Sequence, residues 1–242
     1  MDATKNPQVK DFKSVTRREL LKLAPVAALG AFAIEKWQEP LLDRGIAFSD
    51  KSADKLFRGL HLAQTYSDQD VVPFGKFPYN GYDVIDPEVN LENWRLKVTG
   101  AVQKPGEYTL NDIRKLAKVR QNTRHVCVEG WDVIGRFGGC RASDFLKAVG
   151  ADTTVRFVAL ECADDYYESY DMDSMLHPQT LLAYEMYDQP LDRGHGAPLR
   201  LQMPTKLGYK QAKYITKLEV TNVLRPERGY WEDQGYSWFG GL

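Results

Sequence analysis

From position 91 to the C-terminus, apolar and polar residues alternate in short runs, the period of strands with one buried face. Trp94, Leu96 and Val98 alternate with polar neighbours, which predicts a strand over 91–99 ending at Gly100. Thr109, with Asp112 three residues on, predicts a capped helix through Val119 whose Leu110, Ile113, Leu116 and Ala117 share one face. Alternation resumes over 123–129, placing Val126 and Val128 on one side and His125, Cys127 and Glu129 on the other. Gly130, Gly135, Gly138 and Gly139 then predict a flexible loop. Ser143 is expected to cap a second helix that Gly150 terminates. Further strands are expected over 155–163, 180–186, 199–203 and 214–223, with one helical turn at 172–176 halted before Pro178. Residues 35–86 lack a period and are punctuated by Pro40, Pro73 and Pro78, with a short helix expected near 53–65. Many short strands and few helices argue an α+β fold.

Composition narrows the class. The 242 residues are 43% hydrophobic and 27% charged, enough apolar mass for a sizeable core. The formal net charge of −1 points to no nucleic-acid partner. Three cysteines, Cys127, Cys140 and Cys162, cannot all pair, so no disulfide framework is expected. At the N-terminus, Arg17-Arg18 precede a short, weakly apolar run from Leu23 to Ile34, a pattern similar to the twin-arginine signals of proteins exported folded to the periplasm. The expected organisation is a signal over 1–33, an irregular wrapping segment over 34–90 and a catalytic region over 91–242, with 34–242 forming one domain.

Three stretches carry candidate chemistry. In Arg124-His125-Val126-Cys127-Val128-Glu129-Gly130-Trp131, a soft thiolate at a strand end is followed by glycines that let a metal approach. Zinc would need a second Cys or His at ligand spacing, which is missing, and a Cys-His nucleophile would need an orienting Asn or Asp. His195-Gly196-Ala197-Pro198-Leu199-Arg200 and Lys206 to Lys213 gather cations broken by Gly and Pro, a composition that presents positive charge and backbone N–H groups to a phosphate. A solvated basic face is the bland alternative. Trp131, Tyr166, Tyr167 and Trp231 suit either a substrate funnel or the core.

Together these stretches resemble the sulfite-oxidase-like molybdopterin oxidoreductases, and within them the periplasmic methionine-sulfoxide reductase catalytic subunits. The resemblance covers about 94–238. It implies a sulfite-oxidase-type fold of mixed sheets or a barrel with short helices, and a molybdenum-molybdopterin cofactor whose metal is bound by the catalytic Cys127. It further implies cofactor contacts from Cys162, His195, Arg200, Lys210, Gln211, Ala212 and Lys213, and two-electron oxygen-atom transfer on a small S-oxide or sulfite-like substrate. With no haem or dimerisation domain expected beyond Leu242, a monomeric catalytic subunit would exchange electrons with a membrane haem-bearing subunit or a soluble carrier. The chain departs from the reductases at Asp132, where they have Ser, and at Cys162, where they have Thr. Their N-terminal cofactor contacts would fall between Tyr66 and Asp83, with Tyr79 and Asn80 the candidates. A cofactor-free binding protein and a thiol-redox enzyme using Cys127 and Cys162 are the alternative readings.

Overall fold

The computed structural model describes residues 61–78, 87–224 and 226–242, with the isolated positions 44, 45, 48 and 52. The continuous stretches fall within one compact unit, Ser49–Leu242. The expected signal segment, Tyr79 and Asn80 lie outside the described residues, as does most of the helix expected near 53–65; residues 61–65 are not helical.

Two open five-stranded sheets build the unit. The first runs in the order β2 (Gly106–Tyr108), β1 (Leu96–Gly100), β10 (Ile215–Thr221), β5 (Phe157–Cys162), β6 (Tyr167–Asp171). Only the β1–β10 pair in it is parallel. The second is antiparallel: β3 (Lys118–Val126), β4 (Asp132–Arg141), β7 (Leu181–Met186) and β8 (Gln189–Pro190), with β9 (Arg200–Gln202) also paired to β7. Neither sheet closes into a barrel among the described residues. Three short helices, α1 (Leu110–Arg114), α2 (Ala142–Ala148) and α3 (Met172–Leu176), join them in a mixed fold.

Alternation predicts the core correctly where a strand has one buried face. Leu96 and Val98 enter a cluster with Val158, Leu160 and Leu218 of the first sheet, Leu182 and Leu201 of the second, and Ile113, Leu146 and Met175 of the helices. A smaller cluster, Phe77, Phe137, Met186 and Leu191, lies apart from it. Thr109 caps α1 as expected, its hydroxyl accepting from Asp112 N–H while the Asp112 carboxylate accepts from Thr109 N–H.

Several expectations are corrected. The first helix ends at Arg114 rather than Val119, because 118–126 is recruited as a strand along the whole of β4. The glycines after Cys127 form no flexible loop: Gly135, Gly138 and Gly139 lie inside β4. Their lack of a side chain serves close packing. A Cβ at Gly139 would lie 2.6 Å from Ala183 Cα, and one at Gly135 would lie 2.6 Å from the Phe77 ring. Helix α2 begins at Ala142, with Arg141 rather than Ser143 at its N-cap and no side-chain cap. Strand β6 carries no alternation that predicts it, and residues 91–93 form a turn before β1.

Candidate cofactor site

The β3–β4 hairpin fixes Cys127. Its N–H donates to Trp131 O at 2.9 Å and its carbonyl accepts from Gly130 N–H at 3.2 Å. Gly130 has φ +93°, a left-handed conformation that suits glycine in this tight turn. The half-buried thiol stands 3.7 Å from a Glu129 carboxylate oxygen, which also accepts from Trp131 Nε1 at 3.0 Å. Burial pushes the Cys127 thiol up, and the Glu129 charge adds to the effect. Left alone, this sulfur therefore keeps its proton at neutral pH; a bound cation would reverse that. His125, one strand residue before the turn, is buried, stacks on Trp131 and places Nδ1 3.3 Å from Gln211 Oε1. Burial, reinforced by the Arg200 charge, lowers its pKa to about 3, so the ring is neutral.

The second group comes from the loop that enters β9. Asp192 Oδ1 accepts from both the backbone N–H and Nδ1 of His195, each at 2.7 Å, which sets the ring. The Ala197–Pro198 peptide is cis. Arg200, 4% exposed, donates from Nη1 to His195 O at 3.0 Å and lies 5.4 Å over the Phe137 ring. Its Nε is buried with no hydrogen-bond partner, and no carboxylate pairs with it among the described residues. Burial lowers the Arg200 pKa to about 10.

The third group is the 3-10 turn Gly208–Lys210 and the residues after it. The turn presses on the hairpin: a Cβ at Gly208 would lie 2.8 Å from His125 Nε2. Gln211 Nε2 donates to Lys206 O at 3.2 Å, and Lys213 Nζ donates to Gly194 O at 2.9 Å, tying this turn to the His195 loop.

Six of the predicted residues, Cys127, His195, Arg200, Gln211, Ala212 and Lys213, line one cavity of about 200 Å³. Trp131, Tyr166 and Trp231 also line it, so these aromatics face the site rather than only the core. Asp164 and Tyr236, which the sequence does not single out, also line it, as do Phe77 and Pro78 from the segment expected to supply the N-terminal contacts. Asp192, which sets His195, was missed as well; a lone Asp three residues before a His carries no distinguishing signal.

Lys210 and Cys162 are not brought to this cavity. Lys210 points its ammonium at Glu168 and Glu232, 2.6 Å from each, and does not line the cavity. Cys162 lines a separate cavity of about 420 Å³, and burial holds its thiol well above the ordinary value. Tyr167 also lines that second cavity, its hydroxyl donating to Asp233. A larger cavity, about 820 Å³, is lined by Arg124 and Val126, the residues that alternate with His125 and Cys127, and by Lys206, but by neither Cys127 nor any residue implied as a cofactor contact. Donor chemistry, not size, separates these hollows. Among the described residues no three His, Cys, Asp or Glu side chains gather to hold a metal ion.

Residues 83–231 match the oxidoreductase molybdopterin binding domain. The chain is 49% identical over 167 residues to YedZ1 of Azospira oryzae, a subunit whose name ties it provisionally to protein-methionine-sulfoxide reductase. That match covers 68% of this chain and 63% of the relative. It is 31% identical over 193 residues to MsrP of Xanthomonas axonopodis, named a protein-methionine-sulfoxide reductase catalytic subunit, covering 71% of this chain and 59% of the relative. The chain thus spans about six-tenths of the length of the curated relatives it matches. Among solved structures it is similar in fold to the sulfane dehydrogenase SoxCD from Paracoccus pantotrophus, with a TM-score of 0.54 and 19% identity over 60% of this chain and 46% of that one.

Proposed function

The chain belongs to the oxidoreductase molybdopterin binding domain family, and from that premise we propose that it is an exported catalytic subunit that reduces sulfoxides of methionine side chains in proteins. In this reading Cys127 holds the molybdenum of a pterin cofactor. One observation carries it: Cys127 and the cluster His195, Arg200, Gln211, Ala212 and Lys213, some seventy residues away in sequence, line the same cavity. The donor set suits an anionic, metal-bearing group. Arg200 is a buried cation with an unsatisfied Nε, and such a group calls for an anion.

Arg200 and Lys213 would take the cofactor's phosphate, and His195 and Gln211 its polar edges. Ala212 leaves the backbone open to close approach. When bound, the cofactor supplies two-electron oxygen-atom transfer. The chain's residues do the rest. The Cys127 thiol, raised by burial, would release its proton to solvent as its sulfur binds the metal. Trp131, Trp231 and Tyr236, with Val128 at the rim, give an apolar mouth suited to a sulfur-bearing side chain. Reduction of a sulfoxide to a thioether releases water and consumes two electrons and two protons. The electrons would come from a separate donor, a membrane haem-bearing subunit or a soluble carrier, in the periplasm. No helix among the described residues is long and apolar enough to cross a membrane.

The thiol-redox alternative fares worse, because Cys127 and Cys162 line different cavities and both thiols are raised rather than activated. The test is metal and pterin analysis of the exported protein, followed by turnover with a reduced viologen on an oxidised protein, free methionine sulfoxide and, in the oxidising direction, sulfite. Molybdenum with faster turnover of the oxidised protein is expected. Absence of molybdenum, or turnover of sulfite alone, overturns the proposal.

A further inference from the structure

Two aromatic residues of the cavity wall, Trp231 and Tyr236, come from a C-terminal segment that belongs to neither sheet. Its main chain is tied at both ends. Tyr230 N–H donates to Tyr167 O at 3.1 Å, Leu207 N–H donates to Gly240 O at 2.8 Å, and Leu242 N–H donates to Thr205 O at 3.0 Å. Between those ties, Trp231 packs on Tyr236 and Tyr236 on Tyr209, at ring separations of 5.3 and 5.6 Å.

The centre of the attachment is ionic. Lys210 Nζ lies 2.6 Å from a Glu168 oxygen of β6 and 2.6 Å from a Glu232 oxygen of the C-terminal segment, and all three side chains are at most 1% exposed. Burial opposes the Lys210 charge, but Glu168 and Glu232 outweigh it and hold the ammonium above its ordinary range. Burial and the adjoining Glu232 push the Glu168 carboxyl well up. Gly229 closes over the group, since a Cβ there would fall 2.6 Å from Glu232 Cδ. The chain neighbours of the ionic residues line the cavity: Tyr209 and Gln211 flank Lys210, and Trp231 precedes Glu232. A buried ion triad brings little net stability over a well-packed apolar one, but it does fix geometry when each partner comes from a different element.

We propose that Lys210, gripped by Glu168 and Glu232, is a positioning residue that seats Trp231 and Tyr236 as the wall of the substrate mouth, and so sets which sulfoxides enter rather than holding the cofactor. The selectivity half of this proposal rests on the sulfoxide-reductase reading; the seating half does not.

The experiment compares wild type, Lys210→Met and Glu232→Gln as full chains, prepared with and without cofactor. Amide hydrogen exchange over 228–238, molybdenum and pterin content, and KM and kcat for a small and a large sulfoxide are measured on each. Lys210→Met should raise exchange over 228–238 by roughly 10- to 100-fold. It should also raise KM with little change in kcat, more steeply for one sulfoxide than the other, and leave cofactor content unchanged. Glu232→Gln, which loosens only the C-terminal side, should move exchange and KM the same way by less. Loss of molybdenum and pterin with unchanged exchange would make Lys210 a cofactor ligand and overturn the proposal. Raised exchange with unchanged KM would overturn its selectivity half. Should Lys210→Met fail to fold, unchanged exchange and KM in Glu232→Gln overturn the whole. Exchange in the cofactor-free protein decides the seating even if the wild type proves to carry no molybdenum.

Discussion

Arg200 is pulled by burial well below the ordinary guanidinium range, to about 10. At neutral pH it is charged both folded and unfolded, so the burden is fully present and is lifted only above the folded value. It corresponds to about 3 kcal/mol against the folded state. Two contacts offset it: the hydrogen bond to His195 O, roughly 1.5–3 kcal/mol for a charged donor, and the stacking over Phe137, roughly 0.5–1 kcal/mol. Without cofactor, the guanidinium is therefore close to neutral for stability. Arg200→Met keeps apolar volume and removes the buried charge, so the cofactor-free variant should stay within about 1 kcal/mol of wild type, or about 2–4 °C in Tm for a chain of this size. The loaded protein should behave differently. Losing one partner of a buried charged contact costs about 2–5 kcal/mol, a fall in cofactor affinity of at least about 30-fold. Thermal melts of both forms, with pterin fluorescence after gel filtration, read the two quantities separately. A cofactor-free variant destabilised by more than about 3 kcal/mol, with pterin content at the wild-type level, would show that Arg200 serves the fold and not a ligand.

Gly139→Ala places a methyl against the Leu182 carbonyl and Ala183 Cα, so it should separate β4 from β7 at a loss of about 3 kcal/mol or more, read as a lower denaturant midpoint. Thr109→Ala removes one half of the α1 capping box and should cost about 1 kcal/mol, seen as a Tm drop of about 2–4 °C with activity unchanged. Cys162→Ala should lower stability by about 1 kcal/mol and leave molybdenum content as in wild type; molybdenum loss would return Cys162 to the cofactor set.

Strand alternation at Leu96 and Val98, the cap at Thr109 and the single turn at Met172–Leu176 are legible because each depends on neighbours in the chain. Glycines 135, 138 and 139 mislead because their reason lies across space, in Phe77 and in the β7 residues 182–185. Strand β6 is hidden for a similar cause. Tyr167-Glu168-Ser169-Tyr170-Asp171 reads as polar, yet Glu168 and Ser169 are buried against Lys210 and Trp238. In the site, the family resemblance of contiguous motifs names Cys127, His195, Arg200, Gln211, Ala212 and Lys213, and the fold brings these six to one cavity. The direction of a side chain is another matter. Lys210 and Lys213 sit three apart in one basic stretch, and only the carboxylates at 168 and 232 turn the first inward.

If the Cys127 sulfur is bonded to molybdenum, X-ray absorption at the molybdenum edge distinguishes the wild type from Cys127→Ser. Wild-type protein is expected to show molybdenum in a sulfur-rich shell, and the variant that retains metal to show one sulfur neighbour fewer. An identical shell in both proteins would remove Cys127 from the metal.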